Sequence, residues 1–268
     1  MTNLYDKIEA DAIRLKKAYK INKLLCNSFN GTIYKGTDLK RNCGVILKKI
    51  PRSAVVVWYM FNGQPMPSEI FFHYAGYGAS KMVVKPIDWF DKADSYMLVM
   101  EDFEGSVDLF DCCNEIGVMS EDVVKIIFQQ IVQCVQEMDA AGIVHGDIKD
   151  ENVLINPETL EVKIIDFGHA TTTQAILQGR RGTASYLPPE FYATGEYTPD
   201  SLNVWTLGAI LYILLTSYWN CSNGIFIRNS MAEGRLSKNA KELIDAMLQL
   251  KPSNRTRLET ILDFSFFN

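Results

Sequence analysis

The sequence lacks a C-x-x-C pair, any clustered metal-ligand spacing, an internal repeat, a low-complexity linker and an excess of basic residues. Each absence removes a class of protein. Its six cysteines, Cys26, Cys43, Cys112, Cys113, Cys134 and Cys221, have neither zinc-site nor redox-motif spacing and read as reduced thiols, and 268 residues are enough to build a core without disulfides. The longest apolar run, Val204 to Leu215, is about twelve residues, short of a membrane span, and reads as a buried helix. The N-terminus is polar and shows no signal-peptide hydrophobic region, so the expected location is cytoplasmic or nuclear, not secreted and without membrane association. With 27 Lys and Arg against 32 Asp and Glu, the net charge of −5 argues against direct nucleic-acid binding and allows an acidic groove for basic partners.

What is present centres on His145-Gly146-Asp147-Ile148-Lys149-Asp150-Glu151-Asn152, followed by Asp166-Phe167-Gly168. Carboxylates, an ammonium and an amide are concentrated there, within a stretch that otherwise runs apolar (Ile143, Val144, Val153, Leu154, Ile155, Ile164, Ile165). Asp147 can accept the proton of a hydroxyl nucleophile. Asn152 and Asp166 can share a divalent metal that bridges phosphate oxygens, and Lys149 can hold charge on a transferred phosphoryl group.

These residues resemble the catalytic loop and metal-binding tripeptide of the protein kinase superfamily. The resemblance implies an α+β, bilobal protein kinase fold with a small β-rich N-lobe carrying one main helix and a larger, mostly helical C-lobe. It divides the chain into an N-terminal amphipathic helix (1–20), an N-lobe (21–100), a hinge (101–103) and a C-lobe (104–268). The helix is read from Leu4, Ile8, Ala12, Leu15 and Tyr19 at helical spacing among charged residues. Packing on the body of the protein is its expected use, and a homodimer through it or through lobe surfaces is the competing one.

The kinase resemblance assigns further residues. The phosphate-covering loop falls on Cys26-Asn27-Ser28-Phe29-Asn30-Gly31-Thr32-Ile33, where only the third family glycine, Gly31, is kept. Side chains at Cys26 and Ser28 are expected to intrude where backbone N–H groups approach phosphate. Val45-Ile46-Leu47-Lys48 matches the strand whose lysine contacts the nucleotide phosphates. Ile46 stands for an alanine above the adenine ring, and Glu69 is the expected ion-pair partner of Lys48. Ile70, Phe72 and His73 are expected in the core. Glu101-Asp102-Phe103 forms the hinge, with Met100 at the back of the adenine pocket and Leu154 among its ATP-binding residues. The cofactors implied are ATP and Mg2+ or Mn2+.

Asp88-Trp89-Phe90, Asp108-Leu109-Phe110-Asp111 and Asp147 to Asn152 are most similar to the Pim group of serine/threonine kinases, although Phe103 stands where that group has a hinge proline. Lys149, two residues after Asp147, fits the serine/threonine pattern. Val123, Ile126, Ile127, Gln130, Ile131, Val135 and Met138 form a helical stripe ahead of the catalytic loop. Asp166 to Glu190 reads as the activation segment and includes Thr171, Thr172 and Thr173. Its end, Gly182-Thr183 with Tyr186 to Glu190, resembles a peptide-docking loop, so Thr183 counts among the substrate-binding residues. Glu190 is expected to pair with Arg255. Glu104, Asp108, Asp111, Asp150 and Glu151 are expected to ring the cleft entrance and to favour Arg or Lys near the target hydroxyl.

Departures from the family are Cys26, Ser28, Ile46, Gly146 for arginine and Asn203 for aspartate. They define the alternative, a pseudokinase or nucleotide-binding scaffold. Lys48, Glu69, Asp147, Asn152 and Asp166 are all kept, which favours an ATP-dependent transferase acting on protein Ser/Thr. In style the chain is similar to virus-encoded kinases such as those of baculoviruses. That likeness implies an arginine-rich DNA-packaging protein as substrate and the host nucleus as location.

Overall fold

A computed structural model of the chain describes residues 4–28, 31–61, 63–173, 176–218, 221–222, 225–226 and 228–268. The chain divides into two units, one of Met1–Gly78 and Val84–Glu104, the other of Ala79–Val83 and Gly105–Asn268.

The first unit begins with helix α1 (Leu4–Ala18), followed by strands β1 (Tyr19–Ser28), β2 (Gly31–Asp38) and β3 (Cys43–Pro51), the hairpin β4 (Trp58–Phe61) and β5 (Gln64–Pro67), helix α2 (Ser68–Ala79), and strands β6 (Pro86–Asp91) and β7 (Ser95–Glu101). Five of these strands form an antiparallel sheet in the order β1-β2-β3-β7-β6. Side chains alternate between the faces of a strand, so this sheet has two distinct surfaces. On one, Val45, Leu47, Met97 and Val99 meet Leu15, Tyr19 and Phe90 in a buried cluster. On the other lie Ile46 and Lys48, whose cross-strand partners are Met100 and Leu98.

Helix α1 is tied to the first surface. Asp6 in its first turn and Lys16 and Lys17 in its last complement the helix dipole. Arg14 donates to Asp88 (2.6 Å) and to the Trp89 carbonyl (2.9 Å), and its guanidinium lies 4.0 Å from the Phe90 ring centre. Of the expected stripe, Leu15 packs against the chain's own sheet, Tyr19 falls in β1 and joins the same cluster, and the Leu4 side chain lies outside the described residues.

In the second unit, β8 (Val107–Asp108) leads into α3 (Leu109–Ile116), which Asp108 caps by accepting from the Asp111 N–H at 2.8 Å. Ser120 caps α4 (Glu121–Ala140). The apolar stripe of α4 runs through Val124, Ile127, Phe128, Ile131, Val132, Val135 and Met138, whereas Ile126 is half exposed and Gln130 donates to the Leu160 carbonyl at 2.8 Å. The expected stripe was thus rotated: with apolar residues at adjacent positions, periodicity alone fits more than one face.

After α4 come β9 (Ile143–Val144), β10 (Val153–Ile155), β11 (Val162–Ile164), β12 (Thr171–Thr172), β13 (Leu177–Gln178), α5 (Pro189–Thr194), β14 (Glu196–Tyr197) and α6 (Pro199–Thr216). The described remainder includes β15 (Cys221–Ser222), β16 (Ile225–Phe226), α7 (Ser230–Glu233) and α8 (Lys238–Met247). Helix α6 starts with a capping box between Thr198 and Ser201 and with Pro199 at its first turn, and it is buried on every face, which its mostly apolar sequence allows. Arg255 lies over Trp205 and holds Glu190 through two bonds of 2.7 and 2.6 Å, so the expected pair is present and bidentate.

Among the described residues, no helix is long and apolar enough to cross a membrane. Cys26, Cys43, Cys112, Cys113 and Cys134 are free thiols, while the Cys221 side chain lies outside the described residues. Because Leu15 is buried against the sheet, Leu15→Ala should cost about 2–4 kcal/mol and lower Tm by several degrees in a thermal melt.

Candidate active site

In the first unit, Lys48 sits on β3 between Ile33 of β2 and Leu98 of β7. Its Nζ is 2.6 Å from Glu69 Oε1, with side-chain exposures of 7% and 12%. Glu69 occupies the first turn of α2, where the helix dipole favours a carboxylate. Ile70, Phe72 and His73 are buried, and the His73 Nε2–H donates to the Val84 carbonyl at 2.7 Å, which fixes the helix that carries Glu69. Removing either member of a pair this shielded would strand a charge, so each holds the other in place.

Around that pair, Ile46 lies opposite Met100, which is 7% exposed. The next segment is anchored. The Glu101 N–H donates to the Lys85 carbonyl at 3.0 Å, the Glu101 Oε1 accepts from the Lys85 N–H at 2.9 Å, and Asp102 pairs with Lys35 at 2.8 Å. The sequence reading missed this last pair, since two such residues far apart in sequence carry no local signal. Phe103 follows and is partly buried. Cys26 and Ser28 are exposed at the end of β1, and the Ser28 hydroxyl donates to the Gly31 carbonyl at 3.0 Å, closing the base of the loop. Phe29 and Asn30 lie outside the described residues.

The second unit gathers the other residues around Asp147. One carboxylate oxygen accepts from the Thr183 backbone N–H at 2.7 Å, and the other from the Asn152 amide at 3.2 Å, with Lys149 Nζ at 4.0 Å from it. The Asn152 nitrogen also donates to the Asp147 carbonyl at 2.8 Å, which turns its amide oxygen away from Asp147. Thr183 therefore acts on Asp147 through its backbone. His145 supports the loop: its Nε2–H donates to the Ile165 carbonyl at 3.0 Å, its Nδ1 accepts from the Asp147 N–H at 3.3 Å, and its ring meets Phe167 edge-on at 4.8 Å. Burial lowers its pKa, against the pull of Asp147, consistent with a neutral ring that donates from one nitrogen and accepts at the other. Burial also acts to lower the Lys149 pKa, but the hydrogen bond to Glu151 at 2.5 Å and the charges of Asp147, Glu151 and Asp150 outweigh it, and the net shift is upward. Lys149 therefore stays a cation at neutral pH.

Two glycines set the geometry. Gly146 has φ 81° and Gly182 has φ 76°, a region that favours glycine. A Cβ on Gly146 would stand 2.3 Å from the His169 carbonyl oxygen, and one on Gly182 would stand 2.5 Å from the Gly146 carbonyl and 2.8 Å from Asp147 Oδ1. The family's arginine thus has no room at position 146 in this backbone. Asp166 also takes a left-handed conformation, φ 66°, and its Oδ1 accepts from the Gly168 N–H at 3.1 Å. Strain of this kind concentrates at functional sites. Asn203 is buried in α6, and bonds through His145, Asn152 and Thr183 fix the loop.

The acidic residues fare differently from one another. Glu104, Asp111 and Glu151 are exposed, and Asp108 is partly used as the cap of α3. Asp150, expected at the cleft entrance, is 5% exposed and accepts from the Tyr186 hydroxyl at 2.8 Å, so it belongs to the interior. Its neighbours explain the error: it alternates with Lys149 and Glu151 in a turn, and only one of three consecutive charges points inward. Leu154, on β10, pairs with Asp108 and Lys163.

Among the described residues no group of three or more His, Cys, Asp or Glu is poised as a metal cage. An amide oxygen with a carboxylate is nevertheless the donor set of a hard cation that keeps waters and phosphate oxygens in its shell, and Asn152 and Asp166 fit that chemistry.

Residues 19–267 match the protein kinase domain family, and the chain belongs to it. It is 31% identical over 259 residues to the serine/threonine-protein kinase pim-2 of Danio rerio, covering 92% of this chain and 84% of that protein. It is 32% identical over 257 residues to the serine/threonine-protein kinase prk-2 of Caenorhabditis elegans, covering 93% of this chain and 58% of that protein. The PAS domain-containing serine/threonine-protein kinase of Mus musculus is 30% identical over 194 residues, 67% of this chain and 13% of the relative. The protein is a serine/threonine protein kinase, and the family implies ATP and a divalent metal.

Since a methyl group at position 182 would press on Asp147, Gly182→Ala should lower kcat by roughly tenfold or more while leaving far-UV circular dichroism unchanged. Unaltered turnover would mean that Asp147 does not depend on this contact.

Proposed function

We propose that the chain is a catalytically active kinase that transfers the γ-phosphoryl group of ATP to Ser or Thr flanked by basic residues. The observation that carries this reading is the closed Lys48–Glu69 ion pair at 2.6 Å. Lys48, so held, is the group assigned to the nucleotide phosphates. Ile33, Ile46, Met100, the backbone of Glu101 and Phe103, and Leu154 are assigned to the rest of the nucleotide, with Cys26, Ser28 and Gly31 in the covering loop. Asp147 accepts the proton of the substrate hydroxyl, and Lys149 steadies charge on the transferred group. Asn152 and Asp166 would hold Mg2+ or Mn2+, whose role when bound is to neutralise charge on the phosphates.

The glycine-loop departures argue less for a pseudokinase than composition suggests, because the Ser28 hydroxyl is occupied by the Gly31 carbonyl. Charge supports the substrate class: Glu104 ends the first unit, Asp111 and Glu151 lie exposed on the second, and the chain carries a net charge of −5. Asp108 and Thr183 complete the proposed substrate contacts. The relatives named above are animal proteins and add nothing to the likeness in style to virus-encoded kinases.

The test is phosphoryl transfer from labelled ATP with magnesium to an arginine-rich serine peptide. Asp147→Asn should reduce it by about 10²–10⁴-fold; equal incorporation by both proteins would identify a nucleotide-binding scaffold instead. Reversing Glu104 and Asp111 to Lys should lower kcat/KM about tenfold on the basic peptide and leave a neutral peptide unchanged. The activation segment is held by backbone pairing of Thr171 and Thr172 with Val144 and Ile143, and position 146 has no arginine to be neutralised by phosphate. The triple change of Thr171, Thr172 and Thr173 to Ala should therefore keep activity within a few-fold, and a collapse would show that phosphorylation there is required.

A further inference from the structure

Among the described residues, four strands of the first unit lie at sheet edges, β1 and β6 in the five-stranded sheet and β4 and β5 in the hairpin. Three of them are guarded. β1 carries Lys20 and Lys23 and breaks register between Ile21 and Lys23 and again between Leu24 and Cys26. β6 starts at Pro86, breaks register between Pro86 and Asp88, and carries Asp88 and Asp91. β5 has Pro65 and Pro67. Lysine and other charges, proline and bulges are the devices that keep an edge from pairing with another chain. β4 has none of them. It reads Trp58-Tyr59-Met60-Phe61 behind Val55-Val56-Val57, no residue from Ser53 to Ser68 is charged, and among the described residues it pairs with β5 alone.

The register of the hairpin turns part of the β4 backbone outward. Trp58 lies opposite Pro67 and Met60 opposite Pro65. Proline has no N–H to exchange, so the ladder bonds run through the alternate pairs, Tyr59 with Met66 and Phe61 with Gln64. One step further along, the Val57 carbonyl accepts from the Ser68 N–H at 3.0 Å, in the same alternation. The N–H and C=O groups of Trp58 and Met60, and of Val56 before them, therefore point away from β5. The edge is held in place from behind. Tyr59 stacks on Phe71 at 4.6 Å, Phe61 meets the same ring edge-on at 6.5 Å, and Trp58 meets Tyr96 edge-on at 5.5 Å. Val56 and Met60 are left 85% and 68% exposed. An ordered edge spares an added strand the cost of ordering it.

We propose that the β4 edge pairs antiparallel with the β4 edge of a second copy of the chain, about a two-fold axis at Trp58. The two hairpins would then form one continuous sheet. In this register Trp58 faces Trp58 of the other copy and Val56 faces its Met60, so that outward N–H groups meet outward carbonyls. Charge favours a like copy as occupant. The edge offers nothing for a basic or acidic partner to read, and it brings no like charges together even though the whole chain carries a net charge of −5. The pairing uses none of the residues assigned to nucleotide or substrate.

The experiment is sedimentation velocity of the full chain over about 1–100 µM. A reversible dimer is expected. Met60→Pro removes one outward N–H and should weaken association about tenfold or more. Val56→Lys combined with Met60→Lys sets like charges opposite each other across the axis and should weaken it at least as much, about tenfold. Val56→Lys combined with Met60→Glu sets opposite charges there and should restore association to within about threefold of the parent. Along one extended chain these positions are about 13 Å apart, so the rescue can come only from the second copy. Both side chains are exposed, and the charge variants should keep the parent Tm. A monomer across the whole range overturns the proposal, and so does a dimer that the two charge pairs affect alike. A monomer that binds an extended valine-rich peptide, with binding lost in Met60→Pro, overturns it as well, because the edge would then serve a different chain.

Discussion

The second unit is arranged around one firmly held carboxylate, the one proposed to take the substrate's proton. Asp147 receives the Thr183 N–H on one oxygen and the Asn152 amide on the other, with the Lys149 ammonium nearby. Asn152 and Lys149 belong to the same loop as Asp147 and Thr183 to a segment 36 residues on, so local and tertiary contacts together orient the side chain. His145 closes the arrangement from behind, since its neutral ring accepts from the Asp147 N–H while it donates to Ile165. Preorganisation of this kind is where phosphoryl transfer gains most, because the protein contributes positioning and charge more than covalent chemistry.

The first unit solves a different problem. Its sheet must bury apolar residues and also carry a lysine, and strand alternation lets it do both. Leu47 faces the cluster with Leu15 and Tyr19, while its neighbour Lys48 faces the opposite way and is met by Glu69. Helix α1 seals the apolar side and leaves the other to the charged pair. The anchoring of Glu101 by Lys85 and of Asp102 by Lys35 continues this logic into the segment that follows β7, which is fixed by bonds inside its own unit.

Much of this was legible because motif residues carry chemistry that few other roles require. The Lys48–Glu69 and Glu190–Arg255 pairs and the core positions of Ile70, Phe72 and His73 came with the resemblance that those motifs carry, and the structure shows them. What escaped depended on direction or on backbone. The inward turn of Asp150 toward Tyr186 cannot be read from a run of three charges, nor can the rotation of the α4 stripe when apolar residues sit side by side. The service of Thr183 through its N–H is invisible to any side-chain motif, and the Lys35–Asp102 pair joins β2 to the residue after β7, which only the sheet brings together.

The mutual fit of Gly146 and Gly182 has a consequence for how such a protein can change over time. The His169 carbonyl fills the space beside Gly146, and the Gly146 carbonyl fills the space beside Gly182. A side chain at 182 must displace the backbone of position 146, and one at 146 must displace that of His169. An arginine placed at 146 by one substitution meets the His169 carbonyl before any phosphate contact exists, so phosphate-dependent control is more than one substitution away. The loop behaves as a ratchet: the way back passes through a backbone that must first be rebuilt beside His169.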